Sequence, residues 1–368
     1  MRKPTAIAAA MTALCLLPLS APAASAATTT AGLSLPAPTG PAAVGRTTLA
    51  LTDHSRVDPW VPEAGPRQLM VTVFYPAVRG TGSPAPYMDI TEATALVAGS
   101  DLEQKLTPEL LAGTRTWSRT YARPLPGRHP LVLLSPGFGF PRHSLTALAE
   151  DLASRGYVAA TVDHAFESRA TKFPGGVLPC RACDLPKQIG NAPIALNRGT
   201  DLSFVLSRLR DNPLVDQRRV AVVGHSMGGS GAATMMRANP LVDAGVNLDG
   251  ELAPPDPLDR PFLLVGSSEL GHQPGGTFDP SWDAVWPRMS GWKRWLSVTD
   301  SDHFAFTDLD LLAKQAGVEP PTPLDPAHAI RLTRAYVGAF LDQHLRGIPQ
   351  RLLDGPTSEF PEVVFQQP

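Results

Sequence analysis

The chain has few cysteines, no cluster of basic residues and no apolar run long enough to cross a bilayer. Three cysteines occur in 368 residues, and 32 Lys and Arg are mixed with 34 Asp and Glu. A nucleic-acid-binding role is not expected, because no basic patch is present to neutralise phosphates. A hydrophobic content of 43% argues against a largely disordered chain.

The N-terminus has the pattern of a secretory signal peptide. A basic start precedes an apolar segment over residues 6–19, and the small residues 24–26 predict cleavage after Ala26. Pro18 interrupts the apolar segment, which is shorter than the roughly 20 residues of a membrane span. We therefore assign residues 1–26 to a signal peptide and expect a secreted protein.

Cleavage would remove Cys15 and leave Cys180 and Cys183 at CxxC spacing. Outside the cell, such a pair is expected to form a local disulfide. A redox pair would need a thioredoxin-like strand and helix, and a zinc site would need two further ligands at suitable spacing. Neither is found around these cysteines, so we predict a disulfide and no metal.

The remainder divides into three parts. Residues 27–45 are rich in Thr, Ala and Pro and are interpreted as a flexible leader. Residues 46–350 contain neither a repeat nor a linker and are expected to form one catalytic domain. Residues 351–368 are interpreted as a C-terminal tail.

Strand-like and helix-like segments alternate within the domain, which predicts a mostly parallel sheet with helices on both faces. An antiparallel pair is expected to open it, over residues 46–52 and 68–75. An apolar segment over 102–111 is interpreted as a core helix in preference to one that rests on a lipid surface. Further strands are predicted at 130–134, 157–162, 220–223, 246–248, 261–265 and 295–298, and further helices at 144–155, 197–209 and 329–345.

The most informative segment is Gly224-His225-Ser226-Met227-Gly228. It follows the strand-like residues 220–223 and precedes a helix-like segment. A serine between small residues at such a turn is typical of the nucleophile elbow of α/β-hydrolases. The sequence therefore predicts Ser226 as a nucleophile and an α/β-hydrolase fold.

A serine nucleophile needs a base and an orienting acid, which follow it in the order acid, then histidine. His303 lies just past the last predicted strand and is the expected base. His272 comes early for this role, and His328 and His344 belong to the closing helix.

The acid is less clear from the sequence. Asp249 directly follows a predicted strand and is favoured. Glu269 follows the next strand, where many α/β-hydrolases carry their acid, and stays open as an alternative. Asp302 adjoins the base itself and would fold back onto it poorly.

An oxyanion hole requires two backbone N–H donors. Met227, the residue after the nucleophile, is expected to supply one. The loop Ser135-Pro136-Gly137-Phe138-Gly139 follows the strand beside the elbow strand and is expected to supply the Phe138 N–H.

These segments together resemble the plasma-type platelet-activating-factor acetylhydrolases and their bacterial relatives, over roughly residues 68–310. The resemblance implies a calcium-independent serine esterase with an α/β-hydrolase fold, a Ser226–Asp249–His303 triad and an oxyanion hole from Phe138 and Met227. It also speaks against Glu269 as the acid. It rests on the elbow and on residues 130–139, 151–160, 248–249 and 302–304.

Two positions depart from the family pattern. Pro136 stands where a histidine is common, and Pro-Gly-aromatic loops also occur in cutinase-like lipases and polyester hydrolases. Gly250 stands where bulkier groups are found. Both positions adjoin the expected substrate pocket, so the acyl preference stays open.

We therefore expect a secreted esterase for lipid-like or short-acyl esters, without a cofactor, nucleic-acid partner or obligate protein partner. Contact with a lipid surface is expected to be transient at most. The alternatives are a cutinase-like lipase or polyester hydrolase and a non-catalytic α/β-hydrolase-fold binding protein.

Overall fold

Buried strands alternate with amphipathic helices in the computed structural model, which describes residues 1, 32–100 and 103–368. Residues 2–26 of the predicted signal peptide and 27–31 of the predicted leader lie outside the described residues. Residues Gly32–Pro368 form one unit.

Thirteen strands are found in the described residues. They are β1 (Ala43–Val57), β2 (Pro66–Ala77), β3 (Ser83–Pro86), β4 (Arg115–Thr120), β5 (His129–Ser135), β6 (Val158–His164), β7 (Thr171–Phe173), β8 (Gly176–Leu178), β9 (Val215–His225), β10 (Ala244–Leu248), β11 (Phe262–Ser267), β12 (Lys293–Val298) and β13 (Val363–Gln366).

Nine α-helices and four 3₁₀ turns connect them in the same part of the chain. The helices are α1 (Ile90–Val97), α2 (Pro108–Ala112), α3 (Thr146–Ser154), α4 (Pro186–Ile189), α5 (Ala192–Leu209), α6 (Met227–Ala238), α7 (Ser281–Val285), α8 (Leu309–Gln315) and α9 (Pro326–Arg346). The 3₁₀ turns are Pro62–Ala64, Arg142–Leu145, Trp286–Arg288 and Arg351–Leu353.

Eleven strands form one sheet in the order β13-β12-β11-β10-β9-β5-β6-β2-β1-β4-β3. Strands β12 to β6 of this order are parallel. Strand β9, which leads to the elbow, therefore lies at the centre between β5 and β10. The carboxyl ends of parallel strands meet at one edge, where open α/β sheets place their sites.

Successive residues of the central strands pack into two different cores. In β5, Val132 and Leu134 belong to one apolar cluster with residues of α3 and α9, whereas Leu131 and Leu133 belong to another with residues of α5 and α6. This alternation follows from the two-residue repeat of a strand. It confirms the predicted parallel sheet with helices on both faces.

The antiparallel opening pair is also confirmed, because β1 pairs with β2 over the predicted residues. The helix predicted at 102–111 is shorter, since α2 begins only at Pro108 after its capping residue Thr107. Proline favours the first position of a helix, which explains the start. Leu111 is fully buried, as a core residue should be.

The segments interpreted as a flexible leader and as a C-terminal tail both contribute residues to the core. Within residues 27–45, Leu33 and Leu35 are buried, and the Leu35 N–H donates to the Arg115 carbonyl at 3.0 Å. Within residues 351–368, Phe360 is buried, and β13 adds an antiparallel edge strand to β12. A few apolar residues are enough to pack each segment against the domain, although neither segment contains a long amphipathic pattern.

The region between β6 and α5 is more regular than its sequence suggests. It contains the β7–β8 hairpin, helix α4 and the predicted Cys180–Cys183 disulfide, which is confirmed with a Cα–Cα distance of 5.4 Å. Across the described residues, every helix is too short or too polar to cross a bilayer.

Candidate active site

Ser226 lies in the turn between β9, which ends at His225, and α6, which begins at Met227. Its backbone angles are φ 55° and ψ −125°, which non-glycine residues rarely adopt. Its N–H donates to the Leu248 carbonyl at 2.8 Å. The turn thus has the strained geometry predicted for a nucleophile elbow.

The glycines around Ser226 are required by close backbone contacts. A β-carbon on Gly224 would lie 2.0 Å from the carbonyl carbon of Gly228. One on Gly228 would lie 2.0 Å from the Ser135 carbonyl oxygen. Neither contact can be relieved by moving a flexible side chain, so only glycine fits at either position.

Asp249 and His303 meet beside the elbow. Asp249 directly follows β10, and His303 lies in the loop after β12. His303 Nδ1 donates to Asp249 Oδ2 at 2.7 Å. Both residues line a cavity of about 680 Å³ together with Ser226. The three expected triad residues are therefore brought to one place.

The Asp249 carboxylate accepts hydrogen bonds on both oxygens. Oδ1 accepts from the Ser267 N–H and from His272, each at 2.6 Å, and Oδ2 accepts from the Ser267 hydroxyl at 2.7 Å as well as from His303. Burial would raise the Asp249 pKa, but hydrogen bonds from His272 and His303 outweigh burial and hold it well below its usual range. The carboxylate therefore stays ionised.

Glu269, the alternative acid, contacts a different part of the base. Its Oε2 accepts a hydrogen bond from the His303 backbone N–H at 2.7 Å. The imidazole of His303 instead contacts Asp249. Glu269 therefore contacts the backbone of the loop that carries His303, whereas Asp249 contacts the imidazole ring of His303.

The two expected oxyanion donors lie on adjoining segments. A β-carbon on Gly137 would lie 3.5 Å from the β-carbon of Ser226, so the loop before Phe138 abuts the elbow. Within residues 32–100 and 103–368, the N–H groups of Phe138 and Met227 have no hydrogen-bond partner. Two free donors beside a serine are what an oxyanion hole requires.

A buried cation holds this loop from beneath. Arg198 donates from Nη1 to the Pro136 carbonyl and from Nε to Glu167 Oε2, the latter at 2.7 Å. The Glu167 carbonyl in turn accepts from the Gly139 N–H at 2.9 Å. The loop is therefore tied on both sides of Phe138.

Comparison with known proteins relates this chain to esterases. The family model described as platelet-activating factor acetylhydrolase, isoform II, matches residues 31–174. A curated protein of Arthroderma benhamiae named probable 1-alkyl-2-acetylglycerophosphocholine esterase is 28% identical over 367 residues, covering 89% of this chain and 92% of the relative. The solved ferulic acid esterase of Streptomyces cinnamoneus is 42% identical, with a TM-score of 0.82 over 92% of this chain and 100% of the other.

The chain belongs to the platelet-activating-factor acetylhydrolase-like family of α/β-hydrolases. The expected family and fold are thereby confirmed, as is the expected class of carboxylic ester hydrolase. A bis(hydroxyethyl) terephthalate hydrolase of Streptomyces coelicolor is also similar, with 26% identity over 189 residues, which are 49% of this chain and 52% of that protein.

The cavity of this esterase is acidic. Besides Asp249 and His303, its wall contains the carboxylates of Glu251, Glu269, Asp279 and Asp302. Among the described residues that line it, there is no lysine or arginine. An anionic substrate would therefore meet negative charge beside the nucleophile.

A second, apolar groove of about 420 Å³ adjoins this cavity, and Phe304 lines both. Its wall includes Phe138 of the oxyanion loop and Cys183 of the disulfide, with aliphatic residues of α1 and α8. Phe140 packs edge-on against Phe304 with ring centroids 5.1 Å apart. Phe304 thus forms part of the wall of both the cavity that contains Ser226 and the apolar groove.

His225, inside the elbow, contacts the loop that carries His303. Its Nε2 donates to the His303 carbonyl at 2.7 Å, and the two rings lie 4.6 Å apart. Burial, followed by the nearby His303, lowers the His225 pKa to about 3. The ring is therefore neutral at physiological pH.

The contacts of His272 were not predicted from the sequence, in which its early position argued against a role as the base. The structure places its Nδ1 2.6 Å from Asp249 Oδ1 and its Nε2 2.9 Å from Asp279 Oδ2. The available signal was that β11, which precedes His272, was predicted to follow β10 and so to lie beside it.

Among the described residues no group of acidic, histidine or cysteine side chains is arranged to hold a metal ion.

Proposed function

We propose that this esterase is a secreted serine hydrolase for uncharged carboxylic esters with short or lipid-like acyl groups. The observation that carries the proposal is the 2.7 Å contact between His303 and Asp249, in a cavity shared with a serine at a strained elbow. Secretion is supported by the signal-peptide pattern and by the Cys180–Cys183 disulfide, which oxidising compartments permit.

The mechanism follows from the positions of the side chains. The Nδ1–H of His303 donates a hydrogen bond to the Asp249 carboxylate, which leaves Nε2 free to accept the Ser226 proton as the hydroxyl attacks the ester carbonyl. The Phe138 and Met227 N–H groups stabilise the tetrahedral oxyanion. His303 then returns the proton to the leaving alcohol, and water, deprotonated by the same ring, releases the acid from Ser226.

The negative charge of the cavity wall favours some esters as substrates over others. Its four further carboxylates disfavour an ester that carries a negative charge near the reacting carbonyl. The groove beyond Phe138 and Phe304 offers an apolar compartment for the hydrocarbon part of the ester. Uncharged esters with an apolar acyl group therefore fit best.

A second candidate is the hydrolysis of aromatic acyl esters of the ferulate type. It is favoured by the 42% identity to a ferulic acid esterase over 92% of this chain. The three phenylalanines at the groove could stack on an aromatic acyl group. A cutinase-like activity on polyesters is a further alternative, supported by the shorter match to the terephthalate ester hydrolase.

A substrate series on the purified protein would test these proposals. It would run from acetyl to palmitoyl esters and include methyl ferulate, an sn-2 acetyl phospholipid and a polyester film. A matched pair, 4-nitrophenyl butyrate and 4-nitrophenyl hemisuccinate, would isolate the effect of charge. We expect kcat/KM to peak at short uncharged esters and to be roughly tenfold lower for the anionic member of the pair.

Ser226→Ala is the control for the whole series and should show no turnover while it retains the thermal unfolding midpoint of the wild type. Retained turnover in this variant would refute the serine mechanism. A peak at methyl ferulate would establish the second candidate, and a peak at long chains or polymer would favour the lipase or polyester alternative. Secretion would be tested by the N-terminus of the protein from culture medium, expected to begin at Ala27.

A further inference from the structure

His272 lies between two carboxylates, each of which accepts from one of its ring nitrogens. Nδ1 is 2.6 Å from Asp249 Oδ1, and Nε2 is 2.9 Å from Asp279 Oδ2. An ionised carboxylate can only accept a hydrogen bond. Both ring nitrogens must therefore carry a proton, which makes the ring a cation.

The ring is fixed in this position on several sides. It is 2% exposed and stacks on Trp282 with centroids 4.2 Å apart and an interplanar angle of 12°. Its backbone carbonyl accepts hydrogen bonds from Trp295 Nε1 at 3.0 Å and from the Ser297 hydroxyl at 2.5 Å. Turning the imidazole away from the Asp249 carboxylate would break its stacking on Trp282 and both of its ring hydrogen bonds.

The pKa values of His272 and Asp279 agree with a charged ring. Burial alone would lower the His272 pKa, but hydrogen bonds to Asp249 and Asp279 outweigh burial and raise it to about 9. Burial would raise the Asp279 pKa, yet hydrogen bonds from His272 and Ser281 hold it below its usual range. The shared proton thus resides on the imidazole and not on a carboxylate.

We propose that His272 is a positioning residue that gives the catalytic carboxylate Asp249 a cationic partner at neutral pH and so lowers the pH at which His303 becomes an active base. The inference rests on the proposed Ser226–Asp249–His303 mechanism. Asp249 divides its negative charge between two imidazoles, the cationic ring of His272 on Oδ1 and the ring of His303 on Oδ2. Without the first cation, Asp249 would stabilise protonated His303 more strongly, and the base would be occupied by a proton up to a higher pH.

The other charged and titratable groups around the base do not supply this cation. His303 faces the carboxylates of Asp249, Glu269 and Asp302 and the neutral ring of His225. Asp310 lies beside Asp302, and burial and Asp302 raise the Asp310 pKa to about 8. His272 faces Asp249 and Asp279. The groups that contact His303 are therefore anionic or neutral near neutral pH, and Arg198, the cation that holds the oxyanion loop, is paired with Glu167 at 2.7 Å.

The test compares kcat/KM from pH 4 to 9 for the wild type and His272→Asn, with an uncharged short-chain ester. The asparagine amide can still donate to Asp249, so the change removes mainly the charge. We expect the acid limb of the profile of His272→Asn to move to higher pH by about one unit. The reason is that the variant loses a unit positive charge that is separated from His303 only by the Asp249 carboxylate. His328→Gln is the matched control, because it removes another carboxylate-bound histidine, paired with Glu362 outside the cavity, and should leave the profile unchanged.

A spectroscopic measurement on the wild-type protein provides a second test that does not depend on how well His272→Asn folds. Side-chain ¹⁵N NMR at pH 7.5 should show one buried imidazolium with both nitrogens protonated. Asp279→Asn, which preserves the ring and its stacking on Trp282, should shift those two signals and thereby assign them.

The outcomes separate this inference from the proposed function. A neutral His272 at pH 7.5, or an acid limb that coincides in the wild type and His272→Asn while Ser226→Ala is inactive, would overturn the role of His272 and leave the serine mechanism standing. Turnover by Ser226→Ala would instead overturn the mechanism on which the inference rests.

Discussion

The ring of His225, the residue before the proposed nucleophile, lies 4.6 Å from the ring of His303 and donates to its backbone carbonyl at 2.7 Å. The elbow thus holds the base in place by a direct contact. A single strand end therefore positions both the serine and the group that would activate it.

This contact predicts the effect of His225→Phe, which preserves the ring but removes the donor. The loop of His303 should loosen, and kcat should fall by about tenfold to a hundredfold, because small displacements of a base are costly. KM for a short ester should change little. Steady-state kinetics beside thermal unfolding would check this, and an unchanged kcat in a folded variant would contradict it.

Asp249→Asn should distinguish the two candidate acids. An asparagine cannot stabilise protonated His303, so kcat should fall by about 10³- to 10⁴-fold. Glu269→Gln is the matched variant, since its amide oxygen can still accept from the His303 N–H, and its kcat should stay within about tenfold of the wild type. The reverse order of the two losses would make Glu269 the acid.

The oxyanion loop can be probed at Gly137, where a β-carbon would lie 2.9 Å from His225 Nδ1. Gly137→Ala should displace the Phe138 N–H and lower kcat by about a hundredfold, as the loss of one oxyanion donor does. Gly175→Ala serves as the control, because a β-carbon there meets nothing within 4 Å. Equal activity of the two variants would argue against Phe138 as a donor.

Ala313 lines the apolar groove on α8, whereas the next residue, Lys314, does not. Ala313→Phe should narrow the groove and lower kcat/KM for bulky or aromatic acyl esters by about tenfold, while acetyl esters are spared. Lys314→Phe adds the same ring outside the groove and should leave the ratio of the two substrates unchanged. A parallel loss on both substrates in Ala313→Phe would exclude the groove from acyl selection.

His272 should also make stability depend on pH. Its pKa of about 9 in the folded protein lies above the usual value near 6.5, so folding favours the protonated ring. The resulting stabilisation is complete below about pH 6.5 and is lost as the pH rises through about 9. Relative to His272→Asn, the wild type should lose about 3 kcal/mol of unfolding free energy between pH 6 and pH 10. Urea unfolding at the two pH values would measure the difference, and an equal loss in both proteins would refute the charge on His272.

Much of the fold and the elbow could be predicted from the sequence, because the signals are local. The apolar strand β9, the small residues around Ser226 and the helix α6 lie within one continuous segment. The long amphipathic helix α9 and the opening pair β1–β2 also follow from patterns several residues long. His303 could be selected from the order of residues along the chain and from its place after β12, the last strand that the sequence predicted.

Other features have no continuous pattern and were decided by tertiary contacts. Strand β13 is only four residues long, and Leu33 and Leu35 are isolated apolar residues. The sequence therefore does not show that these two segments pack against the domain. The pairing of His272 with Asp249 spans 23 positions and depends on β10 and β11 being neighbours in the sheet.

One physical reason explains why some features could be predicted from the sequence and others could not. A strained turn or an amphipathic helix is determined by residues that are close in sequence, so composition and spacing suffice to find it. Which histidine receives a proton, which carboxylate stays ionised and which apolar surface forms a groove depend on distances of a few ångströms between distant segments. The sequence alone determined that Ser226 lies at an elbow in an α/β-hydrolase. Only the folded chain decided that Asp249 accepts hydrogen bonds from two histidines.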